Sequence, residues 1–545
     1  MVLQVHGSPI GVTSIVIAGL ASMGGFLFGY DTGQIACMII MPDFQRRFAT
    51  GPIGSDGLPA WNSWIEGLIT SFLSIGTAIG VLCGAPLADG LGRRHAMSVE
   101  VGVFLVGVII QVTAFTAWYQ VAIGRLVTGL AIGALSAAVP LYQSETVPRQ
   151  VRAALVATYQ LFITFGILVA YLIGIGTDQI SNSASWRLLI ALSIPFALLL
   201  GIGIQFCPES PRWLAARGRN DEAYKSLANV RGCTVEESNP WVEQEYADIL
   251  ALVESDKKLE PAGWAACFRP QRRTLYRTLL GITLQAGQQF TGANYFFYYG
   301  STIFTGAGLS NAFYTQAILG AVNFVCTFGG LYILETYGRR LPLIYGAAGM
   351  SVWLCVFATA GVAGNANTKP IADLQIVSAC FFLLFYATTW APGIWLFVGE
   401  SFSYRTRAKQ ASLATLANWV SNFLISYFSP AIASAIDFGY GYVFMGCNIA
   451  NCIIAYCFVY ETESLTLEAV DQLYNAGIPA WRSRKWVPEG YESRDQVKAQ
   501  DSMDDNATHI DDPSPQWKSK PDPLTGEETD KARKNPGVKG MTQTA

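Results

Sequence analysis

Asp-Gly-Leu-Gly-Arg-Arg at 89–94 returns as Glu-Thr-Tyr-Gly-Arg-Arg at 335–340, 246 residues later. Two further features repeat at similar spacing. Glu145 with Arg152 returns as Glu400 with Arg407, 255 residues on, and Glu209 returns as Glu461, 252 residues on. Three separated features at similar offsets argue for two homologous halves related as parallel repeats, an arrangement that rocks about a central site. Each element also has a chemical reading. Gly-Arg-Arg after an acid puts two guanidinium groups beside helix ends, where carbonyls and carboxylates accept bidentate bonds. Asp89, Arg93, Arg94, Glu145, Arg152 and Glu209, with Glu335, Arg339, Arg340, Glu400, Arg407 and Glu461, are the expected ion-pair set, poised to latch one face shut.

Outward from these turns the chain is apolar. Of its 545 residues 51% are hydrophobic and 14% charged, against about 25% charged in soluble domains. Residues 208–277 and 461–545 hold 49 of the 75 formal charges, leaving 26 among the other 390 residues. So few charges cannot cover a water-soluble protein of this size, which excludes a conventional soluble enzyme and a disordered scaffold. A net charge of −3 without a basic stripe speaks against nucleic acid. The 11 cysteines lack paired spacing and read as buried free thiols, and the three histidines are scattered. No nucleophile triad, metal cluster or phosphate loop stands out, so no enzyme activity, metal or cofactor is expected.

A bilayer needs roughly twenty apolar residues per helix. On that basis twelve spans lie near 11–39, 62–87, 97–117, 120–142, 153–176, 187–206, 277–304, 312–334, 342–363, 373–399, 410–434 and 440–460. The first lacks a basic leader and reads as a membrane helix rather than a cleaved signal. Arg93, Arg94, Arg149, Arg152, Arg339, Arg340, Arg405, Arg407 and Lys409 fall in every second loop, which makes that side, with both termini, cytoplasmic. The expected organisation is all-α: a six-helix bundle over 1–207, a cytoplasmic linker over 208–276 with amphipathic helices near 221–230 and 241–253, a second bundle over 277–460, and a mostly disordered tail over 461–545.

Taken together, GGFLFGYDTG (24–33), DGLGRR (89–94), GRLVTGLAIG (124–133), PLYQSETVPRQVR (140–152), PESPRWL (208–214), QQFTGANYFFYYG (288–300), ETYGRR (335–340), NWVSNF (418–423) and ETESLTLE (461–468) resemble the sugar porter family of the major facilitator superfamily. The 288–300 stretch is most similar to fungal hexose transporters. The resemblance spans all but about the last 70 residues. It implies two bundles of six helices around one monosaccharide site, working as a monomer in the plasma membrane. Ala153 after Arg152, Ser403, Tyr460 and Ser464 depart from the family pattern, all at the cytoplasmic face.

A sugar offers hydroxyls that both donate and accept, and apolar C–H faces. Amides answer the hydroxyls without a charge to desolvate, and aromatic rings answer the faces. By similarity Gln160, Gln288, Gln289, Asn294, Asn323 and Asn418 match the family's hydroxyl-binding positions, Trp395 and Trp419 its aromatic wall, and Tyr298 lies just beyond. Gln289 and Asn294 are five residues apart, off helical register, so a break near Gly292 is expected between them. Asn422 reads as structural. Asp31 is the only acid in the first span and Arg125 the only base in the fourth. Intramembrane charges are costly and are paired or functional. If these two face each other, protonating Asp31 weakens their attraction and frees the first helix, a proton-coupling switch that the matching acid serves in similar symporters. Some similar facilitators also carry an acid here, so uncoupled uniport stays open, as do a polyol or pentose substrate and a non-transporting sugar sensor.

Overall fold

The computed structural model describes residues 2–5, 8–54, 57–148, 152–233, 240–258, 263–270, 273–306, 312–364, 369–402, 406–463, 465 and 467–488. A short antiparallel pair, Val2–Val5 with Ser8–Gly11, precedes the helices, a small addition to an otherwise helical chain. The first six spans are Val12–Met38, Ser63–Leu91, Arg93–Val112, Trp118–Thr146, Arg152–Asp178, and a sixth made of Ala184–Ala191 and Ser193–Gly203. The second six begin with a divided seventh span, Thr274–Gln289 and Ala293–Gly306. Ala312–Tyr337, Arg340–Ala363, a tenth span over 369–401, Arg407–Ile436 and Tyr440–Phe458 follow.

Small residues set how closely these helices pack. A Cβ at Gly76 or Gly80 of the second span would lie 2.1 Å from the carbonyl oxygen of Leu126 or Leu130 in the fourth. In return, a Cβ at Gly129 or Gly133 would lie 2.3 or 2.2 Å from those of Leu73 or Thr77. The GRLVTGLAIG stretch is therefore a contact stripe, as membrane helices without a hydrophobic drive between them require. Gly133→Val is expected to cost at least about 3 kcal/mol through overpacking. Gly102→Ala, with nothing within 4 Å of its added Cβ, should stay within about 0.5 kcal/mol. Thermal unfolding of the detergent-solubilised variants checks the contrast.

The two halves repeat their internal packing. The first span packs on the fifth, the second on the fourth and the third on the sixth; correspondingly the seventh packs on the eleventh, the eighth on the tenth and the ninth on the twelfth. Between halves the second span meets the eleventh, the fifth meets the eighth, and the first meets the seventh. These contacts obey the same twofold exchange. They gather at the end away from the Gly-Arg-Arg turns. There Trp64 stacks against Tyr427 and Phe428, Gly67 abuts the Tyr427 carbonyl, and Ser301 donates to Ala36 O. Midway, Phe28 meets Trp419 at 5.3 Å and Phe165 meets Phe324 at 5.4 Å.

The linker folds as Pro211–Ala216, Asn220–Arg231 and Pro240–Lys258 beneath the first half. Buried Arg231 ties it there, donating to Thr146 O and pairing with Glu245. Structure also continues past Tyr474, where the sequence suggested it would fade. Leu467–Asn475 is helical, Ala480–Lys485 is a 3-10 turn, and Tyr474 is fully buried beneath the Arg277 guanidinium at 4.3 Å. Low mean hydropathy over the whole tail concealed Val470, Leu473 and Tyr474, which share one helical face. Residues 489–545 lie outside the described residues.

Candidate functional site

The seventh span breaks where its sequence asks it to. Helix stops at Gln289 and restarts at Ala293. Gly292 between them has φ +95°, and a Cβ there would lie 2.7 Å from the Phe444 ring, so only glycine fits. The break brings Asn294 back to donate to Gln289 Oε1 across five residues. Gln289 Nε2 donates to Asn418 Oδ1 at 2.8 Å, and Asn418 Nδ2 donates to Gln288 Oε1 at 2.9 Å and Gln285 Oε1 at 2.7 Å. Gln288 Nε2 closes the network on the carbonyls of Trp390 and Ala391. The Trp390 carbonyl ends a π-helical turn, Tyr386–Trp390, and Ala391 begins the next helix, where Pro392 has no N–H for the Thr388 carbonyl.

Around this network several buried polar atoms lack a hydrogen-bond partner among the described residues: Asn323 Oδ1, Trp419 Nε1, Asn422 Oδ1 and Gln285 Nε2. Unmet donors and acceptors in a dry interior are costly, and a polyhydroxylated ligand would satisfy both kinds. Trp419, 3% exposed, presents its ring beside Phe28. Tyr298 is buried and accepts from Asn422 Nδ2 at 3.3 Å. Gln160 is half-buried on the fifth span. Trp395 is 40% exposed on Ala391–Ser401, and Trp390, at the end of the preceding π turn, is fully buried and donates to Leu343 O. Gln285 was not singled out from sequence, although it sits one helical turn before Gln288 and Gln289. Asn422, read there as structural, joins the site through Tyr298.

Asp31 and Arg125 meet as an ion pair, both side chains 0% exposed, with Arg125 Nη1 3.6 Å from Asp31 Oδ2. That length is slightly beyond a hydrogen bond. Gln34 Nε2, one turn along the first span, donates to Asp31 Oδ1. Asp31 Oδ2 and Arg125 Nε and Nη2 have no hydrogen-bond partner among the described residues. Tyr298, which accepts from Asn422, lies within electrostatic reach of both charges.

The repeated turns are alike in atomic detail. Arg93 donates Nε and Nη2 to Glu145 at 2.9 and 3.0 Å, and Arg339 donates the same atoms to Glu400 at 3.0 and 2.6 Å. Glu209 accepts the Arg93 and Arg94 backbone N–H groups; Glu461 accepts those of Arg339 and Arg340. Gly92 at φ +92° and Gly338 at φ +84° let each carboxylate approach. Arg94 reaches the Gln205 and Cys207 carbonyls, and Arg340 the Tyr456 carbonyl. Burial works against the charge on Arg339, but the Glu400 carboxylate outweighs it and raises the pKa.

In this conformation the expected pairs Arg93–Glu145 and Arg339–Glu400 form inside each half, bracing the helix ends of that half. Asp89 adds to the first pair through Arg93 at 3.0 Å, whereas its counterpart Glu335 is exposed. Arg407 donates to Phe402 O, and the Arg152 side chain lies outside the described residues. Glu400→Gln, which takes the bidentate counter-charge from the half-buried Arg339, is expected to destabilise the second half by about 1–2 kcal/mol, read as a lower unfolding temperature.

The residues 17–474 match the family model described as sugar (and other) transporter. Among curated proteins, the low-affinity glucose transporter HXT3 of Saccharomyces cerevisiae is 41% identical over 484 residues, 88% of this chain and 85% of that one. The high-affinity fructose transporter ght6 of Schizosaccharomyces pombe is 41% identical over 500 residues, 90% of this chain and 92% of that one. Among solved structures, the xylose transporter XylE from E. coli in a partially occluded inward-open conformation superposes with TM-score 0.70 at 22% identity, covering 83% of this chain and 99% of that chain. That likeness establishes the shared major facilitator fold. The chain belongs to the sugar transporter family, and it is a carrier rather than an enzyme.

Proposed function

We propose that the protein carries a hexose across the membrane together with a proton, by alternating access of its two halves. The observation that carries this reading is the amide network of Gln288, Gln289, Asn294 and Asn418 at the break of the seventh span, flanked by Trp419, in the same chain as a buried Asp31–Arg125 pair. Sugar hydroxyls exchange with the amides' mutual hydrogen bonds, and a C–H face lies on Trp419. Asn323 and Gln160 complete the binding set from the eighth and fifth spans. The curated relatives named as glucose and fructose transporters favour a hexose over a pentose or polyol.

The Gly-Arg-Arg face is cytoplasmic on its excess of short-loop arginines. The halves touch at the other end, so this conformation is the inward-facing one. The braced turns keep each half rigid while it rocks. Protonation of Asp31 from outside loosens its attraction to Arg125 and lets the first span follow the sugar-bound seventh. The working unit is a monomer in the plasma membrane, with both termini inside. Uptake of glucose, fructose, galactose, xylose and inositol in cells lacking hexose carriers tests the reading. A hexose taken up strongly and suppressed by a protonophore is expected. Uptake indifferent to the protonophore makes the protein a uniporter, and no sugar uptake at the cell surface defeats the proposal.

A further inference from the structure

We infer that Gln34 is a positioning residue that sets the pH at which Asp31 takes up its proton, an inference that rests on the coupling reading above. Gln34 and Asp31 are 1% and 0% exposed, one helical turn apart on the first span. The Gln34 amide donates to Asp31 Oδ1, while Arg125 faces Oδ2 at 3.6 Å. Each carboxylate oxygen is thus claimed by a different group. A hydrogen bond donated to the ionised form favours that form. It also fixes the carboxylate plane, so that Oδ2 stays turned towards Arg125.

Gln34 Oε1 has no hydrogen-bond partner among the described residues. The amide is therefore held by its bond to Asp31 rather than by a network of its own. The other charged or titratable groups on Asp31 are Arg125 from the fourth span, Tyr298 from the seventh and neighbouring Tyr30. Tyr171 of the fifth span faces Cys37 and Tyr298, and the sixth span's Arg187 bonds Ala114 O elsewhere. Gln34 is thus the one uncharged donor on the carboxylate among the described residues. It lies on the side towards the end where the halves meet.

The test is the pH profile of sugar uptake by Gln34→Leu, which keeps the volume and removes the donor, normalised to protein at the cell surface. The midpoint is expected to move to higher pH by about one unit, with protons bound at lower external concentration. Gln34→Met supplies the same readout should the leucine variant fail to reach the membrane. A coupled parent whose profile superimposes on the variants' overturns the inference alone. A parent whose uptake ignores the proton gradient overturns the coupling reading and the inference with it. A shift to lower pH would show that Gln34 favours the protonated acid, and also overturns it.

Discussion

Asp31→Asn is expected to abolish sugar accumulation while leaving exchange of sugar across the membrane. Asparagine has the shape and neutrality of the protonated acid, so the variant stays in the proton-bound form and has no gradient to draw on. At 3.6 Å the lost attraction to Arg125 is roughly 5 kcal/mol at an effective dielectric of about 20. Arg125 is 0% exposed and already has two nitrogens without a hydrogen-bond partner among the described residues, so some stability goes as well. Radiolabelled sugar should equilibrate to an internal-to-external ratio of about 1, with counterflow retained. Continued concentrative uptake by this variant would remove Asp31 from the coupling step.

Gln289→Ala is expected to raise the sugar concentration needed for half-maximal uptake by about tenfold or more, the loss of one to two hydrogen bonds. The cost arises beyond the missing contact. Gln289 donates to Asn418 Oδ1 and accepts from Asn294, so its removal leaves Asn418 Oδ1 and Asn294 Nδ2 without that partner. Binding of labelled sugar to the purified variant measures this directly. Unchanged affinity would place the sugar away from Gln289.

The membrane architecture was legible because it depends on counts and periods: scarce charge, apolar runs of the right length, and motifs returning at similar offsets. The break at Gly292 was legible for a local reason, since two amides five residues apart cannot share a face of an unbroken helix. Side-chain partnership was harder. Arg93 and Glu145 are 52 residues apart, and nothing in their spacing says whether such a pair closes within a half or between halves. The π turn over Tyr386–Trp390, just before Trp395, is a feature that sequence periodicity does not carry. Gln34 was not singled out from sequence; only the structure puts its amide against Asp31. The segment 467–486 was hidden by the average composition of the tail it begins.

The central claim is that one molecule carries sugar and proton in the same cycle. Purified protein in proteoliposomes, with an acidic exterior imposed and no sugar gradient, measures it most directly. The account predicts that glucose is drawn inside above its external concentration, and that a protonophore collapses this to equality. Glucose that only equilibrates, whether or not a proton gradient is present, would contradict it.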